Sequence, residues 1–220
     1  MNMAHVTSCV KKEEKCKYDY EVTFSSNLSL DFCDEEVFQY FLYDTERAIE
    51  DLDDLCVKVL AERISRIMLN YVMTQKKSES TIRALALKRI TPECDKSWRL
   101  YLEEAMDAAI SKMKELGYID DYDYCRRYIN TTLKLKPTSL TMIRHELEAV
   151  RGVEASIVEH VLSEYDIDDS LAAYMLLKKK AVSEKNRNKL FAFLMRKGFT
   201  YESVYSAYNR YIEENEELES

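Results

Sequence analysis

The N-terminal part of the chain alternates apolar and polar residues. In YDYEVTF (18–24) the aromatic and apolar residues occupy every second position, and LSLDF (28–32) repeats this pattern after the polar triplet SSN (25–27). A period of two predicts half-buried strands, so this segment is expected to form a small β-hairpin. Residues 1–17 are mixed in charge and poor in apolar residues, and they are predicted to be disordered. Asp34 is predicted to N-cap a short helix, EEVFQYFLY.

From about residue 52 the apolar period changes to 3.6 residues. The first long stripe consists of Leu55, Val59, Leu60, Ile64, Ile67, Met68, Tyr71 and Val72. Such a stripe indicates an amphipathic helix with one buried face. A lysine-containing break follows, then a serine that opens a second helix, and then a third helix.

This three-helix pattern occurs three times. The first helices align on Tyr71, Tyr128 and Tyr174, and the second helices begin after Ser78, Ser139 and Ser183. Internal repeats of this size are typical of arrays in which each unit buries its apolar face against its neighbours. The predicted fold is therefore mainly α: a tandem array of three three-helix repeats, elongated and curved, with a small N-terminal β-hairpin extension. The predicted segments after the disordered residues are a hairpin and short helix at 18–54, helical repeats at 55–118, 119–166 and 167–214, and an acidic tail at 215–220.

Composition and charge agree with a helical body. The 220 residues include only three Gly and two Pro, whereas β-rich folds use many of both in their turns. No apolar run approaches the roughly 20 residues that cross a bilayer, and the N-terminus lacks the apolar core of a secretory signal, so a cytoplasmic location is expected. The net charge is −8, but residues 1–54 carry 5 Lys/Arg against 14 Asp/Glu, while residues 55–220 carry 27 against 26. The acidity therefore lies in the N-terminal region and the tail, and the helical body is mildly basic.

No set of residues indicates catalysis, a cofactor or a metal. The cysteines are Cys9, Cys16, Cys33, Cys56, Cys94 and Cys125, and the histidines are His5, His145 and His160. No cysteine pair has C-x-x-C spacing or a nearby histidine at zinc-ligand spacing, so we expect reduced, partly buried thiols. The sequence also lacks a Gly-rich phosphate loop, G-x-S-x-G and HExxH. We therefore expect a protein that is not an enzyme.

The stretch LGYIDDYDYCRRY (116–128) could be an acidic metal site or a joint between helices. Gly117 suits the left-handed position after a helix, and Tyr118 with Ile119 can pack back onto the helix end. Asp120 or Asp121 can N-cap the next helix. A metal site would need further ligands that the surrounding residues do not supply, so we interpret this stretch as a structural junction. Gly152 and Gly198 are expected to end helices in the later repeats.

Three stretches resemble the RecX family of bacterial proteins that regulate the recombinase RecA. They are the junction Gly117–Asp121, the set Ile143, Leu147 and Gly152, and the last-repeat set Lys189, Leu190, Phe193, Leu194, Arg196, Lys197, Gly198 and Phe199. The middle repeat has one extra residue before its glycine, and the first repeat has KRITPECDKSW where the family has Arg/Lys-Gly. The resemblance implies a monomeric, non-catalytic regulator of DNA repair, recombination and the SOS response. Such proteins lie in the helical groove of the RecA–single-stranded DNA filament and reduce ATP hydrolysis, strand exchange and repressor co-cleavage.

The candidate contact residues are basic side chains near the breaks and in the second helices. They are Lys76, Lys77, Arg83, Lys134, Lys136, Arg144, Lys178, Lys179, Lys180, Lys185, Arg187 and Lys189. Lysines at helix C-termini also complement the helix dipole, so these residues could instead be solvated helix ends. A direct nucleic-acid-binding module and a generic adaptor remain alternative functions. No aromatic–basic interleaving of the kind that stacks bases is expected, because the tyrosines mostly fall on core stripes.

Overall fold

A computed structural model describes residues 3–13, 17–181 and 186–219. The predicted helix-opening Ser183, the candidate contact Lys185 and Cys16 lie outside these ranges. Within them the protein is mainly helical and has a small N-terminal sheet, which confirms the predicted fold class.

The sheet has four antiparallel strands in the order β3-β2-β1-β4. They are β1 (Ala4–Lys11), β2 (Tyr20–Phe24), β3 (Ser29–Phe32) and β4 (Ala48–Ile49). The hairpin β2–β3 forms as predicted, with Val22 opposite Leu30. The prediction of disorder for residues 1–17 is wrong at β1. This strand pairs with a neighbour on each side and buries Ala4 and Val6, which stabilises a segment with few apolar residues.

Helix α1 (Asp34–Gln39) is shorter than predicted, and Cys33 rather than Asp34 is its N-cap residue. The helix ends because Phe41 adopts a left-handed conformation, with φ of 53°. This turn directs Leu42 into the core, where its side chain is buried, and the Leu42 N–H donates to the Val37 carbonyl over 2.9 Å. Burial of Leu42 therefore outweighs the helical preference of the residues that follow Gln39.

Nine further α-helices follow in the described residues. They are α2 (Leu52–Val72), α3 (Glu79–Ile90), α4 (Leu102–Glu115), α5 (Asp121–Leu135), α6 (Leu140–His145), α7 (Ala155–Leu162), α8 (Asp169–Ala181), α9 (Arg187–Arg196) and α10 (Tyr201–Glu219). The third helix of the first repeat, predicted to run from about Lys96 to Leu116, begins later, at Leu102. Two short 3₁₀ turns, Thr91–Glu93 and Trp98–Tyr101, precede α4.

The extra residue before Gly152 is absorbed by a π-helical turn. Helix α6 continues directly into this turn, Glu146–Val150. A π turn closes hydrogen bonds over one more residue than an α turn, so it accommodates an insertion without changing the direction of the helix. Leu147 stays buried within the turn.

The chain divides into two compact units, residues 1–76 with 82–119 and residues 77–81 with 120–220. In the first unit, the apolar face of the sheet packs in one core with α2, α3 and α4. Phe32 meets Trp98 edge-to-face with ring centroids 5.4 Å apart. The second unit has one core cluster around Ile129, Leu147 and Val158 and another around Leu177, Leu194 and Val204.

In the described part of the chain, no helix is both long and apolar enough to cross a membrane.

Candidate interaction surface

The charged cavity of the first unit is lined by ionic side chains that pair with each other or with nearby residues. It encloses about 620 Å³ and is lined by Lys17, Glu36, Arg63 and Arg66, among others. Arg63 is buried and donates to the Glu36 carboxylate from Nε over 2.7 Å and from a terminal nitrogen over 2.5 Å. Its guanidinium lies 4.0 Å from the ring centroid of Tyr18. These contacts make the Arg63–Glu36 pair a structural element that joins α1 to α2.

We searched for side chains that could bind a metal ion. In residues 3–13, 17–181 and 186–219, no group of three or more His, Cys, Asp or Glu side chains is placed to hold an ion. The described cysteines are free thiols, and Cys56, Cys94 and Cys125 are buried. Burial raises the pKa of Cys56 and of Cys125 to about 12. Since the thiolate is the reactive form, these two side chains are inert at neutral pH.

The aspartates of the junction at 116–128 have structural partners. Gly117 has φ of 73°, and the Tyr118 N–H donates to the Met113 carbonyl over 2.9 Å, which completes a Schellman motif at the end of α4. Ile119 is buried, whereas Tyr118 remains exposed. Asp120 is the N-cap residue of α5 and accepts from the Asp123 N–H over 3.0 Å.

Asp121 contacts a different helix. Its carboxylate accepts a hydrogen bond from the Glu79 N–H, at the start of α3, over 2.8 Å. Beside it, the Ser78 hydroxyl donates to the Arg151 carbonyl over 2.6 Å. Ser78 is fully buried, and all four residues belong to the second compact unit. Two polar contacts thus fasten the first turn of α3 to residues of the following helix set.

The same arrangement occurs again one helix set later. The Ser139 hydroxyl donates to the Lys197 carbonyl over 2.8 Å, and the Leu140 N–H donates to the Asp169 carboxylate over 2.9 Å. Ser139 is 1% exposed. We call each such set of contacts a serine joint. It assigns a role to Ser78 and Ser139 and to Asp121 and Asp169, the second aspartate of each Asp-Asp pair.

The glycine after each accepting carbonyl is part of the joint. Gly152 has φ of 64° and Gly198 has φ of 82°, a region that L-residues other than glycine seldom adopt. A Cβ at Gly152 would lie 2.7 Å from the Cβ of Ser80. The glycines therefore permit both the left-handed turn and the close approach of the serine-containing segment.

Several of the predicted contact residues have partners within the protein. Lys76 donates to the Gly117 carbonyl over 3.5 Å, Arg83 pairs with Asp107, Arg144 pairs with Glu159 over 2.7 Å, and Lys178 pairs with Glu214 over 3.3 Å. Lys180 lies over the Phe193 ring, and Arg187 lies over two aromatic rings. Lys77 and Lys189 also have interactions of their own. These contacts support a structural role for most of the basic residues near the breaks.

Among the exposed candidate lysines, Lys134, Lys136 and Lys179 differ from the others in their contacts. Within the described residues, none of their ammonium groups forms an ion pair or a hydrogen bond. Lys134 and Lys136 line a cleft of about 390 Å³ between the end of α5 and α8. Lys179 lies one turn beyond Met175, which lines the α8 wall of the same cleft.

Sequence reasoning missed the apolar residues of this cleft. Leu135 is 77% exposed and Met175 is 51% exposed, and Leu133 and Leu171 are partly exposed beside them. Exposed apolar residues that form one patch commonly mark an interaction site. The basic cleft is defined here by Leu133, Lys134, Leu135, Lys136, Leu171, Met175 and Lys179. Lys134 and Lys136 belong to the lining and Lys179 lies beyond it, whereas Asp166 and Asp168 are exposed acidic residues of the lining.

The fold defines a mainly helical protein with a small N-terminal sheet. No protein-family model matches the sequence. Curated relatives called "Regulatory protein RecX" do match. The one from Caldanaerobacter subterraneus subsp. tengcongensis is 28% identical over 209 residues, which cover 93% of this chain and 98% of the relative. The one from Pectobacterium atrosepticum is 31% identical over 124 residues, which cover 54% of this chain and 75% of the relative.

Solved structures show the same fold. A crystal structure of regulatory protein RecX superposes with a TM-score of 0.58 at 18% identity and covers 94% of this chain and 99% of that one. The structure of RecX from Lactobacillus salivarius gives a TM-score of 0.56 at 20% identity and covers 70% of this chain and 97% of that one. The chain belongs to the RecX family, which confirms the resemblance noted in the sequence.

Proposed function

We propose that this protein is a non-catalytic regulator that binds the RecA–single-stranded DNA filament in its helical groove and inhibits ATP hydrolysis, strand exchange and co-protease activity. The basic cleft is the main observation that supports the proposal. The names of the relatives, which are called regulatory proteins, support it as well. The cleft combines apolar anchors with unpaired cations, which is the combination that a surface needs to hold an acidic protein face.

Leu135 is the central apolar anchor in this proposal. A leucine that is 77% exposed gains little from folding, whereas its burial by a partner contributes about 1.5–3 kcal/mol. The lysines around it would contribute mainly to the association rate and to orientation, because exposed charges steer encounter more than they add affinity. Regulation by this protein would therefore be steric occupation of the filament, without a chemical step by this chain.

The test is RecA ATPase activity on single-stranded DNA with this protein added below stoichiometry. The charge-reversal variant Lys134→Glu/Lys136→Glu/Lys179→Glu should inhibit at least about tenfold less effectively than the wild type. The matched control is Lys88→Glu/Lys96→Glu/Lys112→Glu, which makes the same charge change at exposed lysines of the first unit. This control should inhibit like the wild type.

Two outcomes would contradict parts of the proposal. If the wild type leaves the RecA ATPase unchanged, the proposed function is wrong. If the wild type inhibits but both triple variants behave alike, the basic cleft is not the contact surface.

A further inference from the structure

Two tyrosines at the start of α10 are stacked on each other and exposed. Tyr201 is 61% exposed and Tyr205 is 45% exposed. They are four residues apart on one face of the helix, with ring centroids 6.3 Å apart and ring planes inclined by 19°. The expectation that the tyrosines occupy core stripes is wrong for this pair. The exposed part of each ring is flat aromatic surface that the described residues leave uncovered.

Further aromatic rings and a guanidinium extend this surface. The Phe191 ring lies 5.9 Å from Tyr201 and 5.4 Å from Tyr208. The exposed Arg187 guanidinium lies 5.0 Å from the Phe191 centroid and 5.1 Å from the Tyr208 centroid. Basic and aromatic side chains therefore do interleave on α9 and α10, contrary to the sequence-based expectation. We call these five residues the aromatic platform.

The sequence that forms the platform carries more positive than negative charge, although the whole protein has a net charge of −8 and Glu213 lines the same surface pocket as Tyr205. Residues 186–210 contain the cations Arg187, Lys189, Arg196, Lys197 and Arg210, and Glu202 is their single acidic residue. A positive segment next to exposed rings is complementary to a polyanion that carries flat aromatic groups.

We infer that the aromatic platform binds the unpaired bases of a single-stranded nucleic acid. A base stacks on the exposed faces of Tyr201 and Tyr205, and Arg187 lies beside them to attract the backbone phosphates. Every base has a π face, so such stacking tolerates any sequence, whereas a duplex hides these faces within its own stack. This binding requires only α9 and α10 and does not depend on the proposed contact with RecA.

The inference is tested by fluorescence anisotropy without RecA. The first probe is a labelled oligothymidylate of about 20 nucleotides, and the second is an oligomer of the same length that has abasic sites throughout. Both probes carry the same phosphates, so the difference between their affinities measures the contribution of the bases. The oligothymidylate should bind at least about tenfold more tightly than the abasic oligomer.

Three variants locate the site. Tyr201→Ala/Tyr205→Ala should weaken oligothymidylate binding by about tenfold or more and leave the abasic oligomer unaffected. Tyr201→Phe/Tyr205→Phe retains both rings and should bind like the wild type, which also shows that the site tolerates substitution. The control Tyr118→Ala/Tyr122→Ala removes two other exposed tyrosines with the same spacing and should have no effect.

Equal affinity for the two probes, an unchanged affinity in Tyr201→Ala/Tyr205→Ala, or a lack of binding to either probe would overturn the inference. The assay contains no RecA, so such a result leaves the proposed function intact. Conversely, a wild type that binds the oligothymidylate but does not inhibit the RecA ATPase supports the platform and contradicts the filament proposal.

Discussion

A methyl group added at Gly198 would lie 2.8 Å from the hydroxyl oxygen of Ser139. The same hydroxyl donates to the carbonyl of Lys197, so it cannot move away without losing a buried hydrogen bond. The left-handed φ of Gly198 adds a second obstacle to any side chain.

We predict that Gly198→Ala lowers the free energy of unfolding by about 2–4 kcal/mol, because strain at positive φ and overpacking add together. Gly117→Ala is the matched control, since Gly117 has a similar φ of 73° but open space at its Cβ position. This control should lose only about 1–2 kcal/mol. Urea unfolding followed by circular dichroism measures both values. Equal losses would mean that the Ser139 contact is unimportant for stability.

The buried Arg63–Glu36 pair predicts a large loss of stability when one partner is removed. Glu36→Ala leaves the Arg63 guanidinium buried without its carboxylate, which should cost about 3–5 kcal/mol. The neighbouring Arg66–Glu35 pair, with N and O 3.1 Å apart, is exposed, so Glu35→Ala should cost about 0.5 kcal/mol or less. Chemical denaturation of both variants tests this difference. Similar values for the two would show that burial of the pair does not determine its contribution.

Asp169 should make stability depend on pH. Burial raises the pKa of its carboxyl, although the hydrogen bond from the Leu140 N–H acts in the opposite direction. The folded state therefore retains this proton to a higher pH than the unfolded state. The resulting stabilisation is complete below the unfolded pKa, about 3.9, and is lost as the pH rises through the folded pKa.

Asp169→Asn keeps an oxygen acceptor for Leu140 but has no charge to desolvate. Its stability relative to the wild type should therefore rise as the pH increases from about 4 to about 6. Urea midpoints across this range provide the measurement. Asp169→Ala, which lacks the acceptor, should be less stable than Asp169→Asn at each pH. A difference between Asp169→Asn and the wild type that does not vary with pH would contradict the assignment.

Leu135 tests the basic cleft without changing charge. Leu135→Ser should alter stability by no more than about 0.5 kcal/mol because the side chain is exposed, but it should weaken inhibition of the RecA ATPase about tenfold. Leu100→Ser is the control, since Leu100 has the same 77% exposure in the first unit. An equal effect of the two substitutions on the ATPase would remove Leu135 from the contact surface.

The buried thiols should resist modification in the folded protein. In a Cys16→Ser background, a thiol reagent at pH 8 should leave Cys56, Cys94 and Cys125 unmodified until urea is added, because burial raises the pKa of each of them. Mass spectrometry of the modified peptides identifies the reacting residues. Rapid modification of Cys125 before unfolding would show that its surroundings open readily.

Periodicity predicted the long helices well and the short elements less well. Helix α2 follows its apolar stripe closely, since an amphipathic face is a local property of the sequence. Strand β1 was missed because its own residues include few apolar side chains, and pairing with β2 and β4 stabilises it. The predicted α1 was too long because the real helix ends where Leu42 turns into the core, and this burial is a tertiary effect.

The candidate surface was predictable only in part. The sequence identified Lys134, Lys136 and Lys179 as candidates, but only the structure shows that they have no ion pair or hydrogen bond with the other described residues. Glu214, which pairs with Lys178, is far from it in sequence. Tyr201 and Tyr205 have the spacing of a core stripe, and only the packing of α9 and α10 shows that they face solvent.

The serine joint has a direction along the chain. The donor serine lies in one helix set, and the accepting carbonyl, its glycine and the aspartate all lie in the next. The first residue of the first helix is Leu52 in the first set, whereas it is Asp121 and Asp169 in the later sets. The first set also has Pro92 near the place where the later sets have glycine. Duplication of an internal set would therefore give a new boundary between sets that already contains the serine, the aspartate and the glycine of the joint. A duplicate of the first set, inserted further along, would need the aspartate and the glycine to evolve before it could be accommodated.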